Sequence, residues 1–373
     1  MADCRDWREA EYKAAMTAER TARARTVFAA RFAPTSGNAP IPEMVATATS
    51  NGRVAVYSIV PSVSSPIVKV EESDLKSPSL ADPLIDLGKH DGPAYDLLFY
   101  GEGENTLLLS CGDDGRIQGW LWKQVLENLQ SGATSAGQPI LDLKNPQQKG
   151  PRCALSPIPE TNALAADVKA NRLYSAAGDG CAYAWDMETG QSVMVFDGHS
   201  DYLHCIASRP SQDQIITGSE DGTTIIWDCR SGERIAALDP WQAIKLAKRS
   251  KERSPWVSCV ALDASENWLV CGTGGCCVTL WSLPGLDAVT RIATFSPPQA
   301  ITITDDEIVA VGAQPHLSRW SFGGTMLSQV KCASPSTFSV SVHSSGTTAV
   351  AGYGGLVDII SEFGSHLCTF RCK

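Results

Sequence analysis

The sequence predicts an all-β chain closed into a seven-bladed β-propeller with a short N-terminal helix, and three observations carry that prediction. The first is a fixed offset. Five times a glycine stands five residues before the residue that closes an apolar run: Gly52 before Tyr57, Gly115 before Trp120, Gly180 before Trp185, Gly222 before Trp227 and Gly355 before Ile360. The second is the turn chemistry at those glycines. Asn51-Gly52, Asp114-Gly115, Asp179-Gly180 and Asp221-Gly222 are the dipeptides that a tight hairpin with positive φ requires, and alternating apolar strands flank them. The third is the period. With Trp281 and Trp320 the closing residues number seven, and their shortest spacings (42, 39 and 40 residues) set a unit of about 40, the length of a four-stranded blade. A sheet that small cannot bury a face alone, so seven of them must share a ring.

The clearest copy runs from Gly198 to Arg230. It opens with Gly198-His199, places strands at Cys205-Ile206-Ala207 and Gln214 to Thr217, turns at Asp221-Gly222, and ends in Thr223-Thr224-Ile225-Ile226-Trp227-Asp228. This pattern resembles the WD-repeat family, whose unit carries a Gly-His, a hairpin Asp and a terminal Trp-Asp. In that family His199, Asp221 and Trp227, together with Thr217 or Ser219, form a structural hydrogen-bond network. The physical sense of such a network is that buried polar groups must find partners. A catalytic His199–Asp221 pair is the alternative, and it lacks a nucleophile or metal partner at a recognisable spacing.

Taken in order, residues 1–25 are rich in Ala, Glu, Arg and Lys without Gly or Pro, and read as a helical extension with Trp7, Ala10, Ala14 and Ala18 along one side. Trp7 makes it a handle for a partner; a frayed, solvated tail is the plainer reading. The propeller occupies 26–373. Blade one has strands at Thr26 to Ala33, Met44 to Thr49 and Val54 to Tyr57. Blades two and three close at Trp120 and Trp185, blade four is the stretch above, blade five turns at Gly274-Gly275, blade six follows an irregular Gln314-Pro315, and blade seven turns at Gly354-Gly355. Three enlarged connections are expected as flexible insertions at about 61–86, 130–151 and 241–253, the last a basic loop or short helix anchored by Trp241 and Ile244. After Ile360 the run His366 to Arg371 supplies a fourth strand, so the last blade completes itself without borrowing the N-terminal strand.

Composition narrows the function classes. The net charge of −10 argues against a chain that grips nucleic acid by itself. Thirteen cysteines are scattered, many of them in strand-like runs such as Ser258-Cys259-Val260, and read as small core hydrophobes in a reducing compartment. There is no apolar signal core after the charged start and no apolar run of membrane-spanning length, so a soluble intracellular protein, with no membrane partner, is expected. Phosphate loop, dinucleotide fingerprint and nucleophile elbow are all missing, and neither Cys276-Cys277 nor Cys368 with Cys372 has the spacing of a zinc pair. No catalytic residue, cofactor or metal is expected.

The remaining candidates concern partners. Lys245, Lys248, Arg249, Lys251 and Arg253 form a basic stretch that reads either as a contact for nucleic acid or a nuclear-import address, or as a solvated loop. Lys69, in Val68-Lys69-Val70-Glu71, sits in a pattern similar to a small-modifier conjugation site, and Ser77-Pro78 resembles a proline-directed phosphorylation site. Asp228-Cys229-Arg230 completes a Trp-Asp-x-Arg box resembling that of proteins which dock on the damaged-DNA-binding adaptor of cullin-RING ubiquitin ligases. There Arg230 would be an anchor; otherwise it pairs with Asp228 or caps the turn.

A narrower resemblance comes from Gly198 to Cys205, Gly218 to Gly222, Trp256 to Asp263, Trp268 to Gly272 and the Phe363-Gly364 region. Together these stretches resemble the family of sixth subunits of the THO complex. The resemblance implies a nuclear, non-catalytic scaffold that couples transcription to packaging and export of messenger RNA. Its partners would be other THO subunits, especially coiled-coil ones, with RNA touched only indirectly. The runner-up reading is a substrate receptor of a cullin-RING ligase.

Overall fold

The computed structural model describes residues 9–34, 43–59, 80–147, 155–243, 255–305 and 307–373. Seven antiparallel sheets follow one another around a ring, each built from consecutive strands ordered a to d from the centre outward. Blade four shows the plan: Leu203–Arg209, Gln214–Ser219, Thr224–Asp228 and Arg234–Leu238. Because neighbouring strands are antiparallel, every b–c turn and every d-to-a connection lies on one face of the ring, which we call the upper face. The a–b and c–d turns lie on the lower one.

The five glycines of the repeat all have positive φ, from 66° at Gly115 to 85° at Gly222, which explains their fixed offset. In blade five the equivalent position, five residues before Trp281, is Cys276 at φ 56°. Neither glycine of the expected Gly274-Gly275 turn takes that role.

The core lies between blades. Each of seven apolar clusters draws on two neighbouring sheets. Phe196 of blade three thus packs with Ile215 and Trp227 of blade four, and Ile216 and Ile226 of blade four pack with Leu269 and Trp281 of blade five. The last cluster joins Val27 and Tyr57 of blade one to Val357 and Phe370 of blade seven, with the Tyr57 and Phe370 rings 5.4 Å apart.

That seam carries extra fastenings. Blade seven completes itself with His366–Cys372, and then receives a fifth strand, Leu80–Ala81, running parallel to Arg371 and Cys372. These two residues belong to the blade-one insertion, so the expected flexible connection ends in an ordered clasp and in strand d of blade one, Ile85–Lys89. Arg25 donates to the Cys372 carbonyl at 3.1 Å, Gly355 N–H donates to the Arg25 carbonyl at 2.7 Å, and Lys373 pairs with Asp82 at 2.6 Å.

The second expected insertion is corrected as well. Helix α2, Trp122–Gln130, directly follows strand c of blade two and packs Trp122 edge-on against Phe99. Strand d of that blade, Leu141–Lys144, lies inside the span expected as loop. In the third insertion, Ile244 and the residues through 254 lie outside the described residues, while Trp241 lies under the Arg291 guanidinium, 4.3 Å from the ring centroid. The N-terminal helix α1 spans Glu9–Ala24. Of its described side chains only Ala22, in the last turn, is buried, and Ala14 is exposed; Trp7 and the side chains of Ala10 and Ala18 lie outside what is described.

Candidate functional site

Blade four holds the predicted polar residues in one buried chain. Trp227 Nε1–H donates to Thr217 Oγ1 at 2.8 Å, and Thr217 Oγ1 lies 2.8 Å from His199 Nε2. His199 Nδ1 lies 2.9 Å from Asp221 Oδ2, and Asp221 also accepts from the Thr223 hydroxyl and from the amides of Ser200 and Thr223. One direction satisfies every member: indole to hydroxyl, hydroxyl to imidazole, imidazole to carboxylate. Burial alone would raise the Asp221 carboxyl, but the hydrogen bonds from His199, Thr223 and Ser200 outweigh it and hold the group well below the usual carboxylate range. The His199 side chain is 0% exposed, so it meets no solvent-borne substrate. The chain therefore ties the loop before strand a to the b–c hairpin and to the sheet beneath.

Blade two repeats the arrangement with residues the sequence reading left out. His90 Nδ1 lies 2.9 Å from Asp114 Oδ1 and His90 Nε2 lies 2.8 Å from Ser110 Oγ, while Trp120 Nε1 is buried without a partner. Burial raises the Asp114 carboxyl and the bond from His90, with its amide donors, more than offsets this. The signal was present: Ser110 precedes Trp120 by ten residues, as Thr217 precedes Trp227, but Lys89-His90 stands where Gly-His was sought.

A second feature is invisible in sequence. In every blade the innermost strand has a register shift at its second residue, where a β-bulge places Phe28, Tyr95, Asn162, His204, Ser258, Gln299 and Phe338 in turn. All seven are half-buried and ring the upper mouth of the central channel. Phe338, Phe28 and Tyr95 form a contiguous aromatic arc, with ring centroids 5.7 and 5.5 Å apart. The opposite arc is polar and staples blade to blade. Asn162 donates to the Leu203 carbonyl at 2.8 Å and Ser258 to the Pro298 carbonyl at 2.6 Å. His204 Nε2 lies 2.8 Å from Glu220.

The predicted partner-facing residues divide. Asp228 accepts the Arg230 amide at 2.8 Å, and the Arg230 Nε contact to the same oxygen is 3.3 Å, so carboxylate and guanidinium are joined locally on an exposed turn. Trp7, Lys69, Ser77 and the basic residues Lys245, Lys248, Arg249, Lys251 and Arg253 lie outside the described residues. Among the described residues no group of three or more His, Cys, Asp and Glu is placed to hold a metal, and no helix is long and apolar enough to cross a membrane.

Comparison with known proteins fits this geometry. The family model "WD domain, G-beta repeat" matches residues 190–228 and 247–282, which include the first three strands of blade four and of blade five. The chain is similar to THO complex subunit 6 of Arabidopsis thaliana, 45% identical over 99% of this chain and 98% of the relative. It is 29% identical to THO complex subunit 6 of Homo sapiens over 87% and 88%, and 25% identical to that of Drosophila melanogaster over 69% of each.

Proposed function

The chain belongs to the THO complex subunit 6 family, and from that premise we propose that it is a non-catalytic scaffold subunit of the nuclear THO complex. In that role it couples transcription to the packaging and export of messenger RNA by holding other THO subunits, coiled-coil ones among them, and it meets RNA through those partners. The observation that carries the reading is similarity along nearly the whole chain to subunits of that name in plants and animals. The physical architecture supports it. The polar residues that resemble a reaction centre are sealed inside blade four, while the rims stay open. Phe363, 90% exposed on the lower c–d turn of blade seven, and Arg230, whose side chain is 73% exposed, are the anchors we assign to protein contacts, with Trp7 as a further one and the basic stretch from Lys245 to Arg253 as a nucleic-acid contact or nuclear-import address.

The cullin-RING reading gains no support, because the names of the full-length relatives refer to THO alone. The test is to tag the chain, purify it from nuclei and identify its stable companions by mass spectrometry. Recovery of the other THO subunits is expected. Recovery of the ligase adaptor without them would overturn the assignment.

A further inference from the structure

The channel mouth is chemically lopsided where it meets blades two and three. Tyr95 ends the aromatic arc, and its hydroxyl donates to Asp113 Oδ1 at 3.0 Å. Glu160 directly precedes strand a of blade three on the same upper face, its carboxylate seated over Gly178, where a Cβ would stand 2.1 Å from it. Burial raises the Tyr95 hydroxyl's pKa first, and the bond to Asp113 and the fields of Asp113 and Glu160 raise it further. Neither Asp113 nor Glu160 pairs with a cation among the described residues. Deeper in the channel the same chemistry is already satisfied from within: the Arg31 guanidinium lies 3.0 Å from Asp96 and bonds the Leu97 and Val340 carbonyls. Arg31 thus fills the lower position with a guanidinium, and the upper position offers an aromatic face and two carboxylates without one.

We propose that the upper channel mouth around Tyr95, Asp113 and Glu160 docks a positively charged segment of a protein partner, with a lysine or, better, an arginine side chain laid against the aromatic arc. A guanidinium gains there from the ring face and from two carboxylates, the half-buried Glu160 and the exposed Asp113, and its planar fork suits a carboxylate. On the polar arc the Gln299 amide then offers hydrogen-bonding groups to the segment's backbone. Charge excludes the competing class, since a phosphate backbone would be repelled by the same carboxylates. This surface stands on its own geometry and does not depend on which complex the scaffold serves.

The probe is a short fluorescein-labelled peptide in which arginine alternates with glycine, titrated against the full chain by fluorescence anisotropy at about 0.1 M salt. Glutamate-for-arginine and RNA oligonucleotide probes serve as comparisons. The Asp113→Asn/Glu160→Gln double variant is expected to bind the arginine peptide at least about tenfold more weakly, and Tyr95→Leu at least about threefold. The Glu188→Gln/Glu233→Gln variant, which removes the same charge from exposed turns on the lower face, is expected to change it less than about twofold. Unchanged thermal midpoints for the carboxylate variants show that the ring is intact. Equal weakening by the lower-face variant, no binding by the native chain, or preferential binding of RNA would overturn the proposal.

Discussion

Blades four and five fold the same four strands from different chemistry. Blade four carries hydroxyl, imidazole and carboxylate in a closed chain that ends on Trp227. Blade five has Cys271 at the hydroxyl position, ten residues before Trp281, and Trp281 Nε1 is buried without a partner. Its thiol, pushed up to about 12 by burial, stays protonated and accepts from the buried Thr224 hydroxyl of blade four, at 3.6 Å, leaving the indole unserved. Even the turn differs, since blade five places Cys276 in the left-handed region that glycine occupies in blade four. Yet both indoles are buried, and the two sheets share one apolar cluster. Packing between blades is therefore what makes a blade, and the polar chain of blade four fastens a loop and a hairpin onto a sheet that the ring already holds. Blades two and three are intermediate. Ser110 serves only the imidazole, and Ser175 serves only its indole, at 2.9 Å.

The sharpest way to break this comparison is Thr217→Val, which keeps the shape and strands both Trp227 Nε1 and His199 Nε2. The expected loss is about 2–4 kcal/mol in urea unfolding, because buried polar groups left unpaired carry their full desolvation cost. A loss below about 1 kcal/mol would mean that the chain is ornamental.

Asp221→Asn comes next, with an expected loss of about 1–2 kcal/mol at neutral pH from removal of a charge-assisted acceptor. The sign with pH follows from the depressed carboxyl. Its stabilisation is present above the unfolded value near 4 and is lost as pH falls through the lower folded value. The native chain's advantage over this variant should therefore be flat at neutral pH and shrink below about pH 4, as followed by denaturant titrations across that range. An advantage that grows on acidification would contradict it.

Blade five should respond weakly and in either direction. Cys271→Val is expected to cost under about 1 kcal/mol, and Cys271→Thr, which offers Trp281 an acceptor, to be neutral or to stabilise by up to about 1 kcal/mol. A cost above about 2 kcal/mol for both would show a role for the thiol that packing does not explain. The smallest effect belongs to Arg230→Ala at the exposed end of blade four, within about 0.5 kcal/mol of native stability. Any larger consequence should then appear in partner binding.

Legibility in the sequence followed the range of the interactions. The hairpin glycines and the Thr217–Asp221–Trp227 spacing were readable because each is set by a few residues in one repeat. His90 and Ser110 obey the same spacing and were missed only because Lys89 replaces the glycine before the histidine. Strand Leu141–Lys144 is four residues long inside a Gly, Ser and Gln-rich span, so no alternation had room to show. Helix α2 begins at the residue after strand c ends, with no capping side chain to announce it. The Leu80–Ala81 clasp pairs residues about 290 positions apart, and the seven bulges exist only in pairing registers, so neither leaves a local trace.

The central claim, a ring that serves as one part of a larger assembly, is tested most directly by reconstitution. The chain is co-expressed with the other THO subunits and passed over a size-exclusion column, with and without the Phe363→Ser and Arg230→Ala substitutions. Co-elution of the native chain with the complex, and its loss on substitution of the anchors while the ring stays folded, is the predicted result. Elution of the folded native chain alone, well separated from the remaining subunits, would contradict it.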